Sequence, residues 1–179
     1  GGVLLDSGRP VGAFSDSVSS EDVRRLKITV GDHRAQAVLE GLAILVALRV
    51  FARWRQGSVA KVSVRSDSKA ALGMMLKLAS HSRILSAVGR EIAYDTAVGD
   101  YRVDVYEHTP GVATIGPDYL SRMFAPGASS RKEPEYLVPV PALAVPERTA
   151  TWWRTWDLPP DCAGSGRVGG NEGRPTDGS

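Results

Sequence analysis

The chain has 179 residues, 42% of them hydrophobic and 23% charged, with a net charge of +2. That allows one domain of ordinary size with some chain to spare, and a single cysteine, Cys162, excludes a disulfide framework within it. No signal peptide is visible and no apolar run reaches the ~18 residues of a membrane span, so the expected setting is intracellular, cytoplasmic or nuclear, without membrane or disulfide partners.

"GGVLLDSGRPVGAFSD" reads as two short strands around a turn, with "DSGRP" supplying the turn residues. "RRLKITVGD" predicts a third strand over Leu26 to Val30, so three antiparallel strands are expected at the start. Asp32 can cap the helix that follows, whose stretch Val38 to Phe51 is apolar almost all round, as in a helix buried against a sheet. "VAKVSVRSD" alternates as a strand ending at Asp67. Two helices, "SKAALGMMLKLAS" and "RILSAVGREIAYDTA", follow on either side of His81. "YRVDVYE" is another strand, and "GPDYLSRMF" a short last helix whose first turn tolerates Pro117. The order β-β-β-α-β-α-α-β-α over residues 1–124 predicts an α/β fold with a mixed five-stranded sheet flanked by helices. Residues 125–179 are dense in Pro, Gly and Ser and predict a mostly disordered tail, within which "TWWRTW" could dock on a surface or bind a partner.

Between Arg24 and Arg90 there are thirteen Lys or Arg against three acids, Asp32, Glu40 and Asp67. That imbalance suits either a polyanion-binding surface or a solvated basic helix face. Glu40 lies in the most apolar helix, where an ionised carboxylate needs a cation, a metal or an opening to solvent. Asp67 ends a strand, where α/β sheets gather functional groups, although Asp67 or Ser68 could equally cap the next helix. The loop "HTPGVATIGPD" carries His108 and Asp118 at the end of the last strand. Three carboxylates meeting at one sheet edge would repel one another unless divalent metal neutralised them. Oxygen ligands suit Mg²⁺ or Mn²⁺, and two such ions can activate water for phosphodiester hydrolysis.

"LEGLAILVALRVF", "VRSDSKAALG" and "EHTPGVATIGPDYLSR", taken together and in this order, resemble the ribonuclease H domain of gypsy-type LTR retroelement reverse transcriptase polyproteins. The third segment is similar to that family's H-x-P-G-x-x-N-x-x-A-D-x-L-S-R, and the likeness covers residues 1–124. It implies a ribonuclease-H-like fold, two Mg²⁺ or Mn²⁺ ions and hydrolysis of the RNA strand of an RNA/DNA hybrid. A reverse transcriptase domain in the same parent polyprotein would be the partner. Carried over by position, Glu40, Asp67 and Asp118 resemble metal-ligand carboxylates, and His108 the loop histidine that moves protons or assists product release. Arg49, Arg53, Arg65 and Lys69, with Arg55, could contact phosphates of the hybrid.

Three positions depart from the family. Its first aspartate would lie roughly six to eight positions before Gly1, and Asp6, in the turn, is a poor substitute. Thr114 stands for the usual Asn, and Pro117 for a small helix former. Without the first aspartate this chain is expected to be impaired or inactive as a nuclease, and a catalytically silent module that binds nucleic acid is the alternative. A doubly wound small-molecule domain is disfavoured by the three opening strands and the missing Gly-rich phosphate loop. His33 and His81 read as helix-flanking residues. Ser66 and Ser68 lack both a nearby histidine in sequence and a nucleophile-elbow motif.

Overall fold

The computed structural model describes residues 1–54, 59–110, 115–124 and 132–156. Among them are two two-stranded sheets and five helices, a mixed α/β arrangement. Strands β1 (Gly2–Asp6) and β2 (Arg9–Phe14) pair antiparallel around a two-residue turn. Ser7 and Gly8 both have positive φ there, +50° and +80°, which matches the right-handed twist of the flanking strands.

The third strand expected over Leu26 to Val30 does not form; a helix, α1 (Ser20–Leu26), ends where it would begin. Ser19 accepts from the Asp22 amide at 3.1 Å while Asp22 accepts from the Ser19 amide at 2.9 Å, a reciprocal cap. Glu21 sits one turn before Arg24 and Arg25, and their guanidiniums hold its carboxyl down to about 2. Lys27 then turns left-handed and ends the helix, so Ile28 to Val30 pair with no strand among the described residues. "LKITV" has strand propensity, but Leu26 is taken up as the last residue of α1 and the left-handed Lys27 breaks the run after it.

A 3₁₀ turn (His33–Ala35) leads into α2 (Gln36–Trp54). By length and composition the stretch His33–Arg53 is apolar enough to cross a membrane, contrary to the reading of the sequence alone. In this fold it serves as the core: Val38, Leu42, Leu45, Leu48 and Phe51 are all buried, each contributing on the order of 1.5–3 kcal/mol. Gly41 lets Leu85 come close, since a Cβ there would stand 2.7 Å from Leu85 Cδ1. The rest of the domain packs around this helix. β3 (Ala60–Ser66) pairs parallel with β4 (Tyr101–His108), and the crossover between them contains α3 (Lys69–Lys77) and α4 (Arg83–Ala97). Met74, Met75, Val88, Ile92 and Tyr101 meet α2 from that side, and Phe14 of β2 meets Phe51 edge-on at 5.8 Å. The last helix, α5 (Ile115–Ser121), leans on β1 through Leu120.

Residues 132–156 do not form the disordered tail expected from their composition; residues 125–131 and 157–179 lie outside the described set. Leu143 donates its amide to the Ala13 carbonyl at 2.7 Å, and Ala13 donates to Pro141 at 3.0 Å, so this segment runs along the outer edge of β2. Arg148, 5% exposed, donates to Asp22 at 2.8 Å, to the Ser17 carbonyl at 2.7 Å and to Asp16. A second 3₁₀ turn (Ala150–Trp152) then seats Trp152 and Trp153 in the core.

Arg49, read from the sequence as a phosphate contact, is instead the centre of that seat. It donates to Asp95 (2.6 and 2.9 Å), to Glu91 (2.8 Å) and to the Trp152 carbonyl (2.6 Å), and its guanidinium lies 4.2 Å from the Trp152 ring centroid. Glu91 also accepts from the Arg154 amide and from the Thr155 amide and hydroxyl. Asp95 also accepts from Arg154 and from the Tyr101 hydroxyl. A buried guanidinium is tolerated only with such saturation. Removing it strands two buried carboxylates: Arg49→Ala is expected to lose about 3–5 kcal/mol, and Trp152→Ala about as much through the cavity left behind. Urea unfolding of each variant checks both values.

Candidate carboxylate site

Glu40 sits on the second turn of α2, half-buried, and its Oε1 accepts from the Gln36 side chain at 2.7 Å. Burial raises its pKa above the ordinary value, Gln36 opposes that rise, and the Asp67 carboxyl raises it again by charge and by a hydrogen bond. The fold therefore brings the Glu40 and Asp67 carboxyls near one another, from a helix and from a strand end 27 residues later. The α-amino group of Gly1 lies in the same neighbourhood and pulls the other way.

Asp67 follows the last residue of β3 and is exposed. The helix cap next to it is Ser68, whose hydroxyl accepts from the Ala71 amide at 3.2 Å. Ser66 Oγ in turn accepts from the Ser68 amide at 3.1 Å. With the capping done by serine, the Asp67 side chain is turned toward Glu40.

The end of β4 completes this corner. His108 Nε2 is 3.2 Å from the Asp67 carbonyl oxygen, and the Thr109 amide donates to the Ser66 carbonyl at 3.0 Å. Parallel pairing sets this, because Ser66 and His108 are register partners at the C-terminal ends of their strands.

Asp118 is engaged by a cation of its own segment. It lies in the first turn of α5, half-exposed, and accepts from Arg122 Nε at 2.8 Å. Its helix is nonetheless a neighbour of the site, because a Cβ on Gly1 would stand 2.5 Å from Leu120 Cβ. No group of three or more His, Cys, Asp or Glu is placed to hold a metal ion among the described residues. Two carboxylates fit one hard divalent cation whose remaining positions are filled by water; a two-ion arrangement is not assembled by these residues alone.

The basic residues divide. Arg65 faces solvent and donates to its register partner Glu107 at 2.8 Å, and Lys69 is exposed on the first turn of α3, so both flank Asp67. Arg53 is exposed on the last turn of α2, thirteen residues and therefore ~20 Å along the helix from Glu40. Arg49 is buried, as described, and cannot touch a phosphate. Arg55 and Thr114 fall outside the described residues. Gln36 was not singled out from the sequence, though its position four residues before Glu40 places it on the same helix face.

Compared with family models, curated proteins and solved structures, the chain matches none.

Two expectations separate capping from chemistry here. Ser68→Ala should cost about 1 kcal/mol in thermal or urea unfolding through the lost cap, without changing divalent-cation binding. Glu40→Gln should do the reverse. A carboxyl whose folded pKa is raised binds its proton more tightly in the native state, so its stability contribution is lost as pH rises from its ordinary 4.5. The Gln variant should therefore unfold at a higher temperature than wild type at neutral and alkaline pH. That gain should shrink as pH falls toward the ordinary carboxyl range.

Proposed function

We propose that this chain belongs to a ribonuclease H-type endonuclease domain of a gypsy-type retroelement polyprotein, impaired as it stands. The observation that carries this is the convergence of Glu40 and Asp67, with His108 beside them, from an apolar helix and two parallel strand ends. Two acids brought together without a guanidinium between them are poised for a cation rather than for stability. When bound, Mg²⁺ or Mn²⁺ would supply a polarised water and a counter-charge to a phosphodiester; Glu40 and Asp67 would hold it, with Asp118 joining once released from Arg122. His108 is positioned at the rim to pass a proton. Arg65 and Lys69 would steer the phosphates of an RNA/DNA hybrid toward the pair, in an intracellular setting and beside a reverse transcriptase domain of the same polyprotein.

The five-stranded ribonuclease-H-like sheet of this proposal needs one strand beyond the four formed here. β1 and β3 each have one edge without a strand partner among the described residues. The start of β1 lies near Glu40, and Glu40 lies near Asp67 at the end of β3. A strand parallel to β3 that turned tightly into Gly1 would pair with both edges and join the two small sheets into one. The aspartate expected upstream would then arrive at the carboxylate pair.

A catalytically silent module that binds hybrid is the second reading, favoured by the Asp118–Arg122 ion pair. Cleavage of a labelled RNA/DNA hybrid in Mg²⁺ separates the two. A chain extended upstream to include the aspartate should cleave, the 179-residue chain should cleave weakly or not at all, and Asp67→Asn in the extended chain should abolish cleavage while salt-dependent hybrid affinity survives. Binding without cleavage by the extended chain would leave only the silent module. Equal strong cleavage by both chains would overturn the role given to the upstream aspartate.

A further inference from the structure

Helix α5 is linked to residues 132–156 through a short connection that follows β2. Ser15, just after β2, donates its hydroxyl to the Leu120 carbonyl at 2.6 Å, across 105 positions of sequence. The next residues, Asp16 and Ser17, are held by the buried Arg148, which also engages Asp22 at the head of α1. Arg148 belongs to the segment whose far end is fixed to α2 and α4 through Arg49, Glu91 and Asp95. The connection Ser15–Ser17 is thus tied on one side to α5 and on the other to the segment that grips α2.

We infer that Ser15 and Arg148 are positioning residues that set where α5, and with it Asp118, stands relative to Glu40 and Asp67. A planar guanidinium reading two carboxylates and a carbonyl fixes a short connection in both place and orientation. Ser15 passes that position on by a hydrogen bond to α5. The helix is seven residues long and has a small apolar seat, in which Leu120 meets Ala13 and Leu137. Gly1 packs against the same Leu120, so α5 has little room to settle nearer the pair unless Ser15 or Gly1 yields. The importance of Asp118 rests on the carboxylate reading above; the mechanical link does not.

Arg148→Met leaves Asp22 buried without its cation and would unsettle the fold itself, so Ser15→Ala in the full chain carries the test, with Ser15→Thr as the conservative control. Amide hydrogen exchange should quicken at least about fivefold in α5 for Ser15→Ala, with α2 and α4 unchanged, and Ser15→Thr should restore it. Exchange in α5 that is unaltered, or already unprotected in the wild type, overturns the link. Titration with Mn²⁺ alone is the second arm. Affinity weakened severalfold in Ser15→Ala and recovered in Ser15→Thr supports the positioning of Asp118, while equal affinity in all three overturns it. A wild-type chain that binds no Mn²⁺ also removes that positioning role and refutes the carboxylate reading, an outcome separate from the exchange result.

Discussion

The interaction on which the rest depends is the buried ion cluster around Arg49. A helix apolar on nearly every face must be covered on nearly every face, and α2 carries one guanidinium into that cover. Glu91 and Asp95, one turn apart on α4, supply the counter-charges, and the Trp152 carbonyl takes a further N–H. The remaining lone pairs of both acids are claimed by Arg154, Thr155 and Tyr101. Since several of these donors belong to residues 152–155, the domain core is closed only when that segment is in place. A boundary near residue 124, drawn on composition, cuts through the core.

The two ends of α2 treat charge in opposite ways. At Arg49 every acid meets a guanidinium, and Arg49 and Arg154 balance the charges of Glu91 and Asp95. Nine residues earlier, ~13 Å along the same helix, Glu40 meets another carboxylate, and Gln36 is its neutral hydrogen-bond donor. Both clusters hold two acids drawn together by folding. What distinguishes the candidate site is that its charge is left unbalanced where solvent can reach it, which costs stability and favours an incoming cation.

Much of this was legible in the sequence, for identifiable reasons. The hairpin followed from "DSGRP", the buried helix from its apolar run, and the β-α-α-β crossover from strand alternation followed by capped helices. Glu40 stood out as a charge in an apolar run, and Asp67 as an acid at a strand end. Three features were hidden, two of them because they depend on contacts between distant residues. The Ser19–Asp22 capping box is local and readable, yet "LKITV" just after it has the stronger strand signature. Arg49 looks like any surface arginine until Glu91 and Asp95, more than forty positions away, are seen to claim it. Pro- and Gly-rich composition removes periodicity without removing the means of packing, and the buried residues Arg148, Trp152 and Trp153 suffice to order their segment.

The candidate acids are not held with equal firmness, and that inequality has a chemical consequence. Glu40 and Asp67 stand on a nineteen-residue helix and at the end of a paired strand, both part of the main core. Asp118 stands on a seven-residue helix with an apolar seat of its own. Its ion pair with Arg122 is of the exposed i,i+4 kind, worth on the order of 0–1 kcal/mol. On the proposed reading, a divalent cation drawn in by two adjacent carboxylates would offer Asp118 a stronger partner than Arg122 does. The fixed pair would then act as the receptor and Asp118 as the ligand that comes to it, so the path of α5, rather than the chemistry of the aspartate, governs whether a third oxygen ligand is gained.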